Sequence, residues 1–173
     1  MKLYYTPYDI AVFLIATNFT RSDERAVLKD IWKNNSIPIP DIYQHDEITF
    51  RKKVNFEIAK FDGVLGDIDE LNILLKDTEH SLSVENTIDE RSIIESYFKI
   101  IKLELTYIYN KDCRKIKLRR LLKAFGYKRR SPQLVANVQR ALNALGLKTY
   151  LKGYVPCDIA KINIDDMVII RLK

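Results

Sequence analysis

Three consecutive cations directly before a predicted helix are the residues of this sequence with the clearest chemistry. They are Lys128, Arg129 and Arg130, and Ser131 followed by Pro132 is a typical helix start, with the serine as N-cap. The free backbone amides of a helix N-terminus favour an anion, and adjoining cations add to that preference. The pattern predicts electrostatic binding of phosphates rather than catalysis.

The helix after this basic turn has an apolar face and a polar face. Leu134, Val138, Leu142 and Leu145 form the apolar stripe at three- and four-residue spacing, and Gly146 ends the pattern. The opposite face carries amide and guanidinium groups, whose donors and acceptors suit base edges in a major groove. This polar face consists of Gln133, Asn137, Arg140 and Asn143, and the first three are the predicted groove contacts.

The elements around this helix predict a winged helix-turn-helix. A shorter helix, with leucine and phenylalanine recurring over 118–125, precedes the basic turn and stops at Gly126. Segments 115–118, 147–151 and 167–172 predict a small three-stranded sheet, with a loop of wing-like length before the last strand. Strand, helix, helix, strand, loop and strand, after a preceding helix, is the winged-helix order.

Further cations flank the second helix in this arrangement, and they are expected to contact the phosphate backbone. They come from the first helix and from the wing. These residues are Arg119, Arg120 and Lys123 in the first helix, and Lys152 and Lys161 at or near the wing.

The segment from Ile116 to Ser131, IKLRRLLKAFGYKRRS, with the helix and β tail after it, resembles a small winged-helix-like module. Modules of this type occur at the ends of prokaryotic proteins, often in restriction or phage-defence settings. The resemblance covers about the last third of the chain and implies DNA binding, as a regulatory protein or an accessory subunit of a nucleic-acid-handling complex.

The charge is distributed unevenly along the chain. Residues 1–110 contain 13 Lys/Arg and 19 Asp/Glu, a net charge of −6, whereas 111–173 contain 16 and 4, a net charge of +12. Two segments of opposite net charge predict two domains, an acidic helical domain over 1–110 and a basic winged-helix domain over 111–173. The fold class predicted for the whole chain is mainly α with a small β element.

Helices in the N-terminal part are predicted from caps and apolar periodicity. Thr6 is the N-cap of a buried helix, and Phe50, Val54 and Ile58 lie on one stripe of another. Thr87 opens a capping box before a long helix that is predicted to run to about Tyr109. This part is expected to dimerise or to bind a protein partner.

Two groups of residues could instead support catalysis. His45, Asp46 and Glu47 form a tripeptide of metal-binding and proton-transfer types, which a surface loop and a helix start explain equally well. Asp41 followed by Glu57 and Lys60 echoes the carboxylates and lysine of metal-dependent nucleases, with the spacing off by one residue. No phosphate-loop, dinucleotide or nucleophile-elbow motif is present. We predict a protein that is not an enzyme and has no catalytic residue, metal or cofactor.

The remaining features concern compartment. Cys113 and Cys157 have no metal-ligand spacing, so reduced thiols are the expectation, with a single bridge between them as the alternative. No signal peptide opens the chain, and its longest apolar run, over 10–16, is far too short to span a bilayer. A cytoplasmic protein without membrane contact is expected.

The sequence therefore predicts a DNA-binding protein whose partner is double-stranded DNA. RNA stays open as a partner, because a basic patch alone does not distinguish the two backbones. The first alternative is a protein-interaction subunit that docks through its basic face without touching DNA. The second is a metal-dependent nuclease.

Overall fold

The computed structural model describes residues 3–61 and 90–173. The chain divides into two compact units, Met1–Leu74 and Leu75–Lys173. The described residues form six α-helices and one three-stranded antiparallel sheet, so the expected fold class, mainly α with a small β element, is confirmed. No helix in these two ranges combines the length and the apolarity that crossing a membrane requires.

The N-terminal unit is helical where it is described. Its elements are α1 (Pro7–Thr17), α2 (Arg21–Lys33), a 3-10 helix (Asp41–Tyr43) and α3 (Glu47–Phe61). Thr6 is the N-cap of α1, as the sequence predicted, and it also forms a capping box with Asp9. Helix α1 packs against α3. Phe13, Phe50 and Val54 are fully buried in this small core.

The C-terminal unit contains helices on a sheet. Its elements are α4 (Glu90–Tyr107), β1 (Arg114–Lys117), α5 (Leu118–Ala124), α6 (Pro132–Leu145), β2 (Leu147–Tyr150) and β3 (Met167–Leu172). The strand order is β1-β3-β2, with Ile116 opposite Val168 and Thr149 opposite Ile170. Because α4 packs on α6, the long helix that the sequence analysis assigned to 1–110 lies in the C-terminal compact unit. The predicted capping box at Thr87 falls outside the described residues.

A cluster of aromatic rings holds α4 to the C-terminal end of α5. Tyr97 and Phe98 on α4 both meet Phe125, at ring-centroid distances of 5.3 and 6.2 Å. The Tyr97–Phe125 contact is edge-on and the Phe98–Phe125 contact is tilted, and aromatic pairs of this kind add to the free energy of burying the rings. Leu121, Leu134 and Val138 continue the same core, and they are almost fully buried. The core therefore fixes the angle at which α5 and α6 leave their turn.

Candidate nucleic-acid interface

The exposed face of α6 differs in one position from the predicted polar face. Leu134, Val138 and Leu142 are buried as expected, but Asn137 is also buried, with only 7% of its surface exposed. At 100° per residue, position 137 lies about 60° outside the arc from Leu134 to Leu142, between that arc and the exposed face of the helix. Asn137 therefore does not face the groove as predicted, and its side-chain oxygen accepts a hydrogen bond from Gln133 at 3.2 Å.

Four residues form the exposed stripe of α6, and we call them the reading face. They recur at three- and four-residue spacing, as residues on one helix face must. They are Gln133, Ala136, Arg140 and Asn143. Sequence reasoning missed Ala136 because an apolar residue was not expected on the polar side. The burial of Leu134 and Val138, which fixes the orientation of the helix, identifies it.

The start of α6 follows the sequence prediction closely. Ser131 is the N-cap, and its hydroxyl oxygen accepts a hydrogen bond from the Leu134 amide at 3.1 Å. Pro132 occupies the first turn, where a missing N–H costs nothing. Lys128 and Arg129 in the preceding turn are exposed. Two cations therefore lie just before a capped helix N-terminus, and this arrangement can bind a phosphate group.

Arg130, the third cation of the turn, has a different role from the one predicted. Its Nη1 donates to the carbonyl oxygens of Ile159 and Ile162, at 2.9 and 2.7 Å. Ile159 is itself buried. The guanidinium therefore ties the turn to the connection between β2 and β3 instead of facing a phosphate.

Removing this tie has a measurable cost. We expect Arg130→Ala to lower the free energy of unfolding by about 1–3 kcal/mol, because two carbonyls lose a charged donor. Thermal unfolding followed by circular dichroism measures the change. Arg129→Ala is the matched control and should leave stability within about 0.5 kcal/mol, since that side chain is exposed. Equal stability of the two variants would contradict the anchoring role.

The cations of α5 are exposed but not equivalent. Arg119 makes two hydrogen bonds to Asp165, at 2.8 and 2.9 Å, and both side chains are 61% exposed. The hydrogen bonds from Arg119 hold the pKa of Asp165 below its ordinary value. Arg120 and Lys123 are exposed, and within 90–173 no salt bridge involves them. They are the α5 side chains best able to meet a phosphate.

The connection between β2 and β3 has two parts. A tight hairpin at its start is closed by hydrogen bonds from Leu151 to Val155 and from Tyr154 to Leu151, and Lys152 lies exposed at its tip. The second part, 158–166, is held to α6 by Gln139, whose amide donates to Asp158 at 2.9 Å. Lys161 is exposed in this held segment rather than at the tip.

The carboxylates considered as alternative catalytic groups make hydrogen bonds and ion pairs with residues close to them in the sequence. The carboxylate of Asp46 accepts hydrogen bonds from the amide and hydroxyl of Thr49 in the first turn of α3, and these bonds lower its pKa. Glu57 pairs with Lys60 at 2.8 Å on the same helix, where nuclease sites of the kind considered need paired strands. In 3–61 and 90–173, no three His, Cys, Asp or Glu side chains gather as a metal site would require.

Comparison of the chain with protein-family models, curated proteins and solved structures finds no match. The case for a function therefore depends on the chemistry of the chain itself.

The two cysteines are unbridged thiols. Both Cys113 and Cys157 are partly buried, and burial is the main cause that raises the pKa of each. A raised pKa keeps a thiol protonated at neutral pH, and a protonated thiol is a weak nucleophile. Reactive-cysteine chemistry is therefore not favoured at either position.

Proposed function

We propose that the C-terminal unit is a winged helix that binds duplex DNA with α6 in the major groove. The order α4, β1, α5, α6, β2, β3 and the strand order β1-β3-β2 support this interpretation. The single observation that carries it is the reading face of α6, which is exposed along the helix directly after Lys128 and Arg129. An α-helix fits the major groove, and amide and guanidinium groups are the usual partners of base edges there.

The charge of this part of the chain supplies the affinity in this proposal. Lys128, Arg129, Arg120 and Lys123 would neutralise phosphates on either side of the groove, and Lys152 would do so from the hairpin. Each phosphate contact releases counterions from the duplex, so affinity falls as salt rises. The basic surface thus positions the protein, and Gln133, Arg140 and Asn143 read the bases.

The test is a salt titration of duplex binding by fluorescence anisotropy. Changing Lys128 and Arg129 together to alanine should weaken binding of every duplex sequence and reduce the log-log salt slope by about 1.8, the value for two lost phosphate contacts. The charge-matched control is Lys29→Ala with Lys33→Ala on α2, both exposed residues of the other unit, and its slope should be unchanged.

Two results would redirect the proposal. An unchanged slope in the Lys128 and Arg129 variant would remove these residues from the interface. Wild-type protein that binds an acidic polypeptide but no duplex, even at low salt, would favour the protein-docking alternative, because the basic face would then serve a protein partner.

For the N-terminal unit, we propose contact with a protein partner or a second copy of the chain. Three large apolar side chains of this unit have more than half of their surfaces exposed: Ile42 on the 3-10 helix, and Ile48 and Phe56 on α3. Exposed apolar surface of this kind is typical of a site that a partner covers. If the contact is self-association, Ile48→Ser with Phe56→Ser should convert a dimer into a monomer in light scattering. A wild-type monomer at high concentration would exclude the second copy.

A further inference from the structure

The sheet of the C-terminal unit has a solvent-facing side that is separate from the reading face of α6. Its opposite side is buried, since Ile116, Val168 and Ile170 point into the core and α6 packs against β2. Residues directly opposite each other in a sheet share a face. The pairing therefore places seven side chains on the solvent side, which we call the outer face. They are Lys115, Lys117, Lys148, Tyr150, Met167, Ile169 and Arg171.

The outer face carries exposed cations around Ile169, which is itself buried, with only 9% of its surface exposed. Ile169 lies between Lys115 and Tyr150, and the three strands contain no carboxylate. Asp165, whose pKa Lys117 also lowers, is held by Arg119. Within 90–173, Lys115 and Lys148 are exposed and have no salt bridge. Both ammonium groups are therefore available to a phosphate on the exposed part of this face.

Tyr154 on the hairpin adds an aromatic ring to this face. The Arg171 guanidinium lies 4.8 Å from its ring centroid, and the Tyr150 ring lies edge-on at 6.4 Å. Arg171 is itself held by a 2.6 Å hydrogen bond to the carboxylate of Asp112. These contacts fix the orientation of the Tyr154 ring, which nevertheless keeps 56% of its surface exposed.

The backbone at Tyr154 is in an unfavourable conformation for a bulky residue. Its φ is +61°, in the left-handed region that glycine or asparagine adopts at less cost. Strain of this kind persists only where the surrounding structure enforces it, and it is enriched at ligand-binding and other functional sites. Tyrosine here gives an exposed, oriented ring at the expense of local stability.

We propose that the outer face binds single-stranded DNA, with bases stacked on Tyr154 and Tyr150 and phosphates paired with Lys115 and Lys148. An exposed ring stacks on any base whose face is free, and duplex bases have no free face. An open groove of about 720 Å³ adjoins the rings at Tyr150 and Arg171, and its lining also includes Lys111, Asn110 and Asp112. The outer face has no amide or aliphatic hydroxyl side chain for a ribose 2′-hydroxyl, which favours DNA over RNA.

The first variant removes the Tyr154 ring. Tyr154→Gly should weaken binding of a labelled oligo-dT of about 20 nucleotides roughly five- to one-hundred-fold, the effect of losing one base-stacking contact. Duplex binding should change less than about twofold, because α6 and the hairpin cation Lys152 are both kept and glycine suits the backbone at 154. The melting temperature should not fall, since glycine relieves the positive φ. Tyr4→Ala, which removes an exposed tyrosine from the other unit, is the matched control.

The second variant tests the cations of the outer face. Lys115→Ala with Lys148→Ala should reduce the log-log salt slope for oligo-dT by about 1.4, the value for two contacts to a single strand. The control is again Lys29→Ala with Lys33→Ala. Oligo-U of the same length should bind no more tightly than oligo-dT.

The outcomes separate this proposal from the duplex proposal. Weaker single-strand binding by Tyr154→Gly with intact duplex binding would support the outer face. The single-strand proposal would be overturned if the wild-type protein did not bind oligo-dT at low salt, or if the Tyr154→Gly variant bound it as well as the wild type. Equal weakening of oligo-dT and duplex binding in that variant, or tighter binding of oligo-U than of oligo-dT by the wild type, would also overturn it. If the protein bound oligo-dT but no duplex, the duplex proposal would fail and the single-strand proposal would still hold.

Discussion

Changing Arg140 to glutamate should weaken duplex binding by about a hundredfold, the largest effect expected from a single change on the surface of the protein. Arg140 lies in the middle of the reading face and is exposed. The change removes a guanidinium whose contact with a base edge is worth about 1–3 kcal/mol and adds a charge that phosphates repel. Anisotropy with a set of duplexes at one salt concentration measures the loss.

Stability separates this effect from misfolding. An exposed charge change should alter the free energy of unfolding by less than about 0.5 kcal/mol. Arg25→Glu, at an exposed position on α2 in the other compact unit, makes the same change of net charge and should cost far less affinity. If the two variants bound the duplex equally, net charge would explain the binding and α6 would have no special role.

The largest expected effect on stability comes from Glu104→Gln. Glu104 on α4 is 1% exposed, and its carboxylate accepts hydrogen bonds from Lys111 and from Arg114, the latter at 3.3 and 3.4 Å. The amide keeps the shape but removes the charge that two cations share. Removing one partner of a buried ion pair typically costs about 3–5 kcal/mol. We expect about 3 kcal/mol here, because Lys111 and Arg114 keep some solvent contact.

Urea unfolding followed by circular dichroism measures this loss. The control is Glu57→Gln on α3, where the paired Lys60 side chain is 54% exposed and the cost should stay below about 1 kcal/mol. A similar loss in both variants would show that the ion pairs around Glu104 add nothing beyond a surface pair. The expected difference would show that they fix β1 against α4.

The parts of the fold that local signals specify could be predicted from the sequence. The ends of α6 are predicted by Ser131, Pro132 and Gly146. In the structure the helix begins at Pro132 after the Ser131 N-cap and ends at the Gly146 C-cap. The predicted strand 167–172 coincides with β3, and 115–118 differs from β1 by one residue at each end. Caps and periodicity act over a few residues, so their information is contained in the sequence itself.

The parts that depend on distant contacts could not be predicted. Arg130 is bound by carbonyls 29 and 32 residues away, and Arg119 by a carboxylate 46 residues away. Asn137 is buried because packing, not residue type, sets the arc of α6 that faces the core. The charge pattern suggested a boundary at 110, whereas the compact units follow apolar packing, which joins α4 to α6.

A crosslink from the reading face shows directly whether α6 lies in the major groove. Ala136→Cys places a thiol at its centre, and the wild-type protein gives the background from Cys113 and Cys157, whose raised pKa values make them slow to react. Duplexes with a disulfide tether on cytosine N4 present it in the major groove, and those with a tether on guanine N2 present it in the minor groove. If α6 lies in the major groove, the major-groove tether should crosslink well above background. Equal crosslinking in both grooves, or none above background, would contradict this placement.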